Sequence, residues 1–269
     1  MKYPYPNNKQ CFEPVEDIYS LTKKNVVVYP DFSKVDFKDN IVLQSYIKKL
    51  EKYWWLFKNL PFVKQIRLSN SITFGVVNEN SDIDFFIICK KNRLFLCRFF
   101  SILILIFFNL IWIRKKQWGK IDLNFFVEED SVNLYNISLK PIDRYLVYWI
   151  SHLVLLYSEC KKERNLIFEK NKWIRQILYK HPLTQSINLW IKPIFWKGMM
   201  KKIIEKMLDN KLGDLLEKVL KFIWIPIMVS KKKKLWDKWR WIIISDKILK
   251  FHWKDIRKKV NLLMKIAWK

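Results

Sequence analysis

Three aspartates are the residues whose type and spacing could do chemistry. Asp82 and Asp84 stand in the run Ser81-Asp82-Ile83-Asp84-Phe85. On a strand, alternate side chains share a face, so the two carboxylates project together while Ile83 and Phe85 turn to the core. Asp122 opens a similar run, Ile121-Asp122-Leu123-Asn124-Phe125. If the two runs are neighbours in one sheet, three carboxylates converge. Carboxylates held that close repel, and one takes up a proton unless a cation relieves the conflict. A divalent ion such as Mg²⁺ does so, because carboxylate and phosphate oxygens are the ligands it prefers. Such an arrangement suits two-metal phosphoryl transfer.

The elements that must position these residues are legible as apolar patterns. Residues 39–60 repeat Ile41, Leu43, Ile47, Leu50, Trp54 and Leu56 at helical spacing, with Pro61 closing the run. Residues 62–68 read as a first strand, followed by the polar Ser69-Asn70-Ser71, a short turn to Val77 and the loop 78–81. Residues 83–89 and 121–127 are rich in β-branched and aromatic side chains and read as the second and third strands. Between them, residues 94–113 hold Arg98 and Asn109 as their strongly polar members. That run is long enough to cross a bilayer as a helix. A single crossing, however, would put Asp84 and Asp122 on opposite sides, so a helix buried on the sheet is expected.

Beyond Glu128 the pattern turns helical. Ile142, Leu146, Trp149, Ile150, Leu153 and Leu156 mark one face of a helix over 142–157. Further helices are expected over 162–178, 186–207 and 215–225, with breaks at Pro182, Pro193 and Gly213. A last helix starts at Asp246, capped by Ser245, with Leu249, Trp253, Ile256, Val260 and Leu263 on one stripe. The expected fold class is α+β: a small mixed sheet flanked by helices, then an all-helical C-terminal half. The expected division is an irregular arm over 1–38, an αβ domain over 39–136 and a basic helical domain over 137–269.

The Asn70-Ser71 pair, Gly75, the Ser81-Asp82-Ile83-Asp84 run and the later strand aspartate Asp122 resemble the signature of the DNA polymerase beta superfamily of nucleotidyltransferases. In that family a Gly-Ser opens a short helix, an Asp-x-Asp follows on the second strand and a third Asp sits on a later strand. Asn70 stands where the family has Gly, and Asn is the next residue most tolerant of a left-handed backbone. The resemblance implies that Asn70, Ser71, Gly75 and Ser81 bind the phosphates of an NTP. It also implies that Asp82 and Asp84 hold two Mg²⁺ ions, replaceable by Mn²⁺, and that Asp122 completes the catalytic metal site and helps deprotonate the attacking hydroxyl. The acceptor, whether RNA, a small molecule or a protein, is left open. So is a catalytically silent protein that keeps the fold and binds RNA or a membrane.

Composition points to partners. The chain of 269 residues carries 51 Lys+Arg against 25 Asp+Glu, a net charge of +26, which attracts polyanions. At 51% apolar residues it is not a disordered chain. Residues 200–269 hold half of the excess charge. The lysine run 231–234 leads into Trp236, Trp239 and Trp241, where cations alternate with rings. RNA, an anionic membrane surface and a passive solvated face are the three readings of that segment. Cys11, Cys89, Cys97 and Cys160 form no zinc pattern and suit a reducing compartment, so a cytoplasmic location is expected, with no export signal in the first residues. His152 is expected to be packed, and His252 with Asp255 to form a structural pair on one helical face.

Overall fold

The computed structural model describes residues 40–74, 77–111, 119–174, 191–234, 241–252, 255, 257 and 258, with the backbone alone at 231–234, 241 and 252. The expectations for the arm over 1–38, for Gly75, for Pro182, for 235–240 and for Trp253, Ile256, Val260 and Leu263 lie outside the described residues.

A six-stranded mixed sheet in the order β4-β1-β2-β3-β6-β5 organises the molecule. Its strands are β1 (Val63–Ser69), β2 (Ile83–Cys89), β3 (Ile121–Glu128), β4 (Val154–Ser158), β5 (Trp241–Ile244) and β6 (Ile248–His252). All neighbours are antiparallel except β2 and β3. A parallel pair needs a crossover, and α3 (Leu94–Phe107) supplies it. Helix α3 is the core of the 94–113 run, and it ends at Phe107 in a turn where Asn109 takes a positive φ of 54°. Its Arg98 faces the sheet, with the guanidinium against the rings of Phe126, Phe251 and Trp224. Among the described residues no helix is long and apolar enough to cross a membrane.

On the same side, α1 (Ile41–Lys52) and α2 (Trp54–Phe57) pack through Leu43, Leu50, Leu56 and Phe57, with the ring of Phe57 edge-on to Phe85. Asn40 caps α1 by accepting from the Leu43 N–H. The opposite face of the sheet is covered by α4 (Arg144–Ser151), capped by Asp143, and by the short α5 (Leu166–Lys170). A hairpin of α6 (Met199–Leu208) and α7 (Lys211–Lys234) completes the fold. Gly213, expected as a break, lies in the first turn of α7, where a Cβ would come 1.7 Å from the Leu208 carbonyl oxygen, so the tight α6–α7 connection requires glycine there.

The α+β class holds, with helices predominating after residue 137, but the C-terminal half is not all-helical. Residues 154–158, expected inside a helix over 142–157, form β4 on the edge of β1. Leu153 to Tyr157 are buried on both faces, and such a run fits a buried strand as well as a helix. The helix expected from Asp246 is replaced by a hairpin: Ser245 binds back to Ile248, and β6 pairs with β3. Strands from both sides of residue 137 therefore share one sheet. Residues 191–198, expected within a helical stretch broken at Pro193, are irregular, with Ile194 bridging to Tyr157 before α6 begins.

Candidate active site

The site is built by strand register. Asp84 on β2 lies directly opposite Asp122 on β3, and Ser69 on β1 lies opposite Asp84. Register partners share a face, so Asp84 and Asp122 stand side by side on the face that α4 covers. Asp82 is two residues upstream, at the mouth of β2, and within electrostatic reach of Asp84. Burial and then the neighbouring Asp122 hold the Asp84 carboxyl well above the ordinary carboxylate range, while hydrogen bonds from Asn70 and Asn124 pull it partly back. The Asn124 amide spans the pair, donating to Asp122 Oδ2 at 2.5 Å and to Asp84 Oδ1 at 3.4 Å. Neutral hydrogen bonds thus occupy oxygens that a cation would use. Among the described residues no group of three His, Cys, Asp or Glu is arranged to hold a metal ion. The donor set itself fits a hard divalent cation, since carboxylate oxygens in mutual repulsion gain most from one.

The loop before the site follows the expected chemistry at Asn70. Its φ is 59°, the left-handed conformation that Gly commonly supplies, and its carbonyl accepts from Thr73 and Phe74 to close a single 3-10 turn over Asn70–Ile72. The Asn70 Oδ1 accepts from Trp149 Nε1 at 2.9 Å, which leaves the amide N–H for Asp84. Ser71 is half-buried on this turn. Ser81 lies elsewhere in the loop, where its hydroxyl accepts from the Asn78 N–H at 3.1 Å and locks the turn 78–81. Tyr46 of α1 donates to the Ser81 carbonyl at 2.8 Å, and the Ser81 carbonyl also accepts from Gly119, so α1 and the entry to β3 fix the start of β2.

Asn124, Trp149 and Lys250 also surround the carboxylates, although sequence alone does not assign them to the site. Between Asp122 and Phe125, β3 gains one residue on β2, and this bulge returns Phe125 to the same face as Asp122. Phe86 and Phe125 meet edge-on with centroids 4.8 Å apart, and Trp149 lies against both rings. Lys250 on β6 is opposite Phe125 and fully buried, with its ammonium 4.2 Å from the Phe125 ring and 5.2 Å from that of Trp149. Burial and the Arg257 charge push Lys250 down to about 7, against an upward pull from Asp84. Arg257 in turn holds Asp255 and the α4 cap Asp143. Alternation of Asp122 with Asn124 could have revealed Asn124. Lys250 was hidden, because its segment was expected to be a helix.

His152 is packed as expected, buried between Phe74 and Tyr148 with Nδ1 at 2.7 Å from the Tyr148 carbonyl. Asp255 binds Arg257 rather than standing on a helix with His252. No protein-family model matches this chain, and no curated protein and no solved structure matches it.

Proposed function

We propose that this protein is a metal-dependent nucleotidyltransferase that moves a nucleoside monophosphate from an NTP to an acceptor hydroxyl and releases pyrophosphate. The observation that carries this reading is the in-register pair Asp84 and Asp122 on parallel neighbouring strands, with Asp82 two residues before Asp84. The likeness to the polymerase beta superfamily supports it through Asn70, Ser71, Gly75 and the spacing of the carboxylates.

In this reading Asp82, Asp84 and Asp122 would hold the cations, and the carboxylate oxygens that the Asn124 amide now binds would have to be released. Bound Mg²⁺, two ions for which Mn²⁺ can substitute, would neutralise triphosphate charge and acidify the acceptor hydroxyl. Asn70, Ser71 and Gly75 would orient the β and γ phosphates, with Ser81 fixing the turn that leads into β2. Asp122 takes the proton of the acceptor as its oxygen bonds to the α-phosphorus, and the bond from that phosphorus to the bridging oxygen breaks. Catalysis is then mainly in-line positioning and charge neutralisation. The free thiols of Cys89, Cys97 and Cys160 suit a cytoplasmic setting, and the basic C-terminal segment suits an RNA acceptor.

One observation favours a second reading. The Asn124 amide already bridges the two carboxylates, as it would in a catalytically silent RNA-binding protein that keeps the fold. Pyrophosphate release separates the two. Mg²⁺-dependent release from NTPs by the wild type, lost in Asp122→Asn, supports the transferase. Salt-sensitive RNA binding with no turnover in Mg²⁺ or Mn²⁺ supports the silent binder.

A further inference from the structure

Helices α6 and α7 carry apolar residues on their outer faces. On α6, Met199, Ile203 and Met207 recur at every fourth position and are all exposed, Met199 by 77%. On α7, Leu212, Leu215, Val219, Phe222, Ile223 and Ile227 form the same kind of stripe, with Phe222 exposed by 81%. The inner side of α7 is apolar too, since Leu216, Leu220 and Trp224 pack on the core. A long apolar stripe facing solvent marks a contact surface.

The charges on the same two helices are sorted by sign. Every carboxylate is engaged by a group of the protein body, although Asp209 and Asp214 stay exposed. Glu205 accepts from the Phe62 N–H and pairs with Lys201, and Asp209 pairs with Lys90. Asp214 pairs with Arg93, and Glu217 accepts from the N–H groups of Phe95 and Leu96 at the start of α3. Lys202, Lys206, Lys211 and Lys218 are exposed, and none of them has a carboxylate partner among the described residues. Each lies three or four positions from a stripe residue: Lys202 from Met199, Lys206 from Ile203, Lys211 from Leu215, Lys218 from Leu215 and Phe222. Residues so spaced are neighbours on a helix surface.

We propose that the α6–α7 hairpin docks on an anionic membrane, with the stripes among the acyl chains and the four lysines at the headgroups. Lysine suits that edge, because its stem lies along apolar surface while the ammonium reaches the phosphates. Among the described residues no helix is long and apolar enough to cross a membrane, so the hairpin lies in the interface. A second copy of the chain fits less well. Each copy carries +26, and its α6 and α7 carboxylates are already engaged, leaving none to answer the lysines. RNA fits less well because Phe222 is the one ring on the stripes, and bases stack on rings rather than on Met, Leu, Val or Ile.

Flotation of the full chain with phosphatidylcholine vesicles, with and without phosphatidylglycerol, tests this docking. The wild type is expected to float with the anionic vesicles and to stay behind with the neutral ones. Replacing the four lysines together by Ala should weaken partitioning by on the order of a thousandfold. Phe222→Asp with Ile223→Asp should weaken it by about tenfold or more, with an unchanged melting curve because both side chains are exposed. Asp84→Asn should float like the wild type, which separates this surface from the carboxylate site. Failure to float with anionic vesicles, equal floating of the Phe222 and Ile223 double variant, or a concentration-dependent dimer abolished by that variant would each overturn the proposal.

Discussion

At the scale of single residues, Asp84 and Asp122 face each other at one register position, where burial and mutual repulsion disfavour both being charged. Asp84 is protonated more readily than an ordinary aspartate because burial and Asp122 both disfavour its charge. Its folded pKa is raised, so its contribution to stability is full at acid pH and is lost as pH rises above the ordinary carboxylate range. Asp84→Asn should therefore stabilise the metal-free protein near neutral pH and raise its Tm. Mg²⁺ should raise the Tm of the wild type and leave that of the variant in place; a Tm equal to or below the wild-type value without metal would speak against the strained pair. Glu128 offers a second check at the far end of β3, where burial pushes its carboxyl up to about 7 from an ordinary 4.5 while Oε1 accepts from the Asn92 N–H. The unfolded chain loses that proton near 4.5 and the fold retains it to about 7, so wild-type stability should fall across this window. Glu128→Gln should flatten the fall, as read from melting curves between the two pH values. The two aspartates on β2 and the one on β3 were legible because alternation on a strand needs no tertiary information. Lys250 and Trp149 were not, because both reach the site through pairing and packing across long stretches of chain.

At the scale of elements, the misread segments share one physical cause. The sequence 142–157 satisfies a helical repeat throughout, yet the chain leaves the helix at His152 and enters β4, because the exposed edge of β1 rewards a strand there. Residues 248–252 likewise satisfy a helical stripe, and β6 forms because β3 would otherwise be an edge. Local spacing carries no record of an edge elsewhere in the chain. The elements that were read correctly, α1, β1, β2, α3 and β3, follow one another in the sheet and its crossover, so local pattern and tertiary need agree. Anchoring of α6 is the element-level feature most open to test. Lys201 is fully buried, donates to the Val63 carbonyl and lies 3.3 Å from Glu159, 3.6 Å from Glu205 and 3.2 Å from the Tyr157 hydroxyl. Lys201→Ala removes the buried one of the two lysines that Glu159 and Glu205 share, leaving the more exposed Lys197 at 2.6 Å and 3.1 Å, and should cost about 1–3 kcal/mol, measured by denaturant unfolding. A loss under 1 kcal/mol would mean that α6 is held by its apolar contacts alone.

At the scale of the whole molecule, the charge excess and the carboxylate site are separate features with separable tests. If the lysine run 231–234 tracks an RNA backbone, replacing all four residues should weaken RNA binding to every sequence and flatten its salt dependence by about 3–4 units of slope. Nucleotide binding at Asp82 and Asp84 should be untouched. Nucleotidyl transfer at the three aspartates is tested most directly by the incorporation of α-phosphate-labelled NTPs into total cellular RNA, protein and small-molecule fractions in Mg²⁺ or Mn²⁺. Label is expected in one fraction with the wild type, and none with Asp84→Asn although that variant stays folded. Transfer undiminished in Asp84→Asn, or no label in any fraction from any of the NTPs, would contradict it.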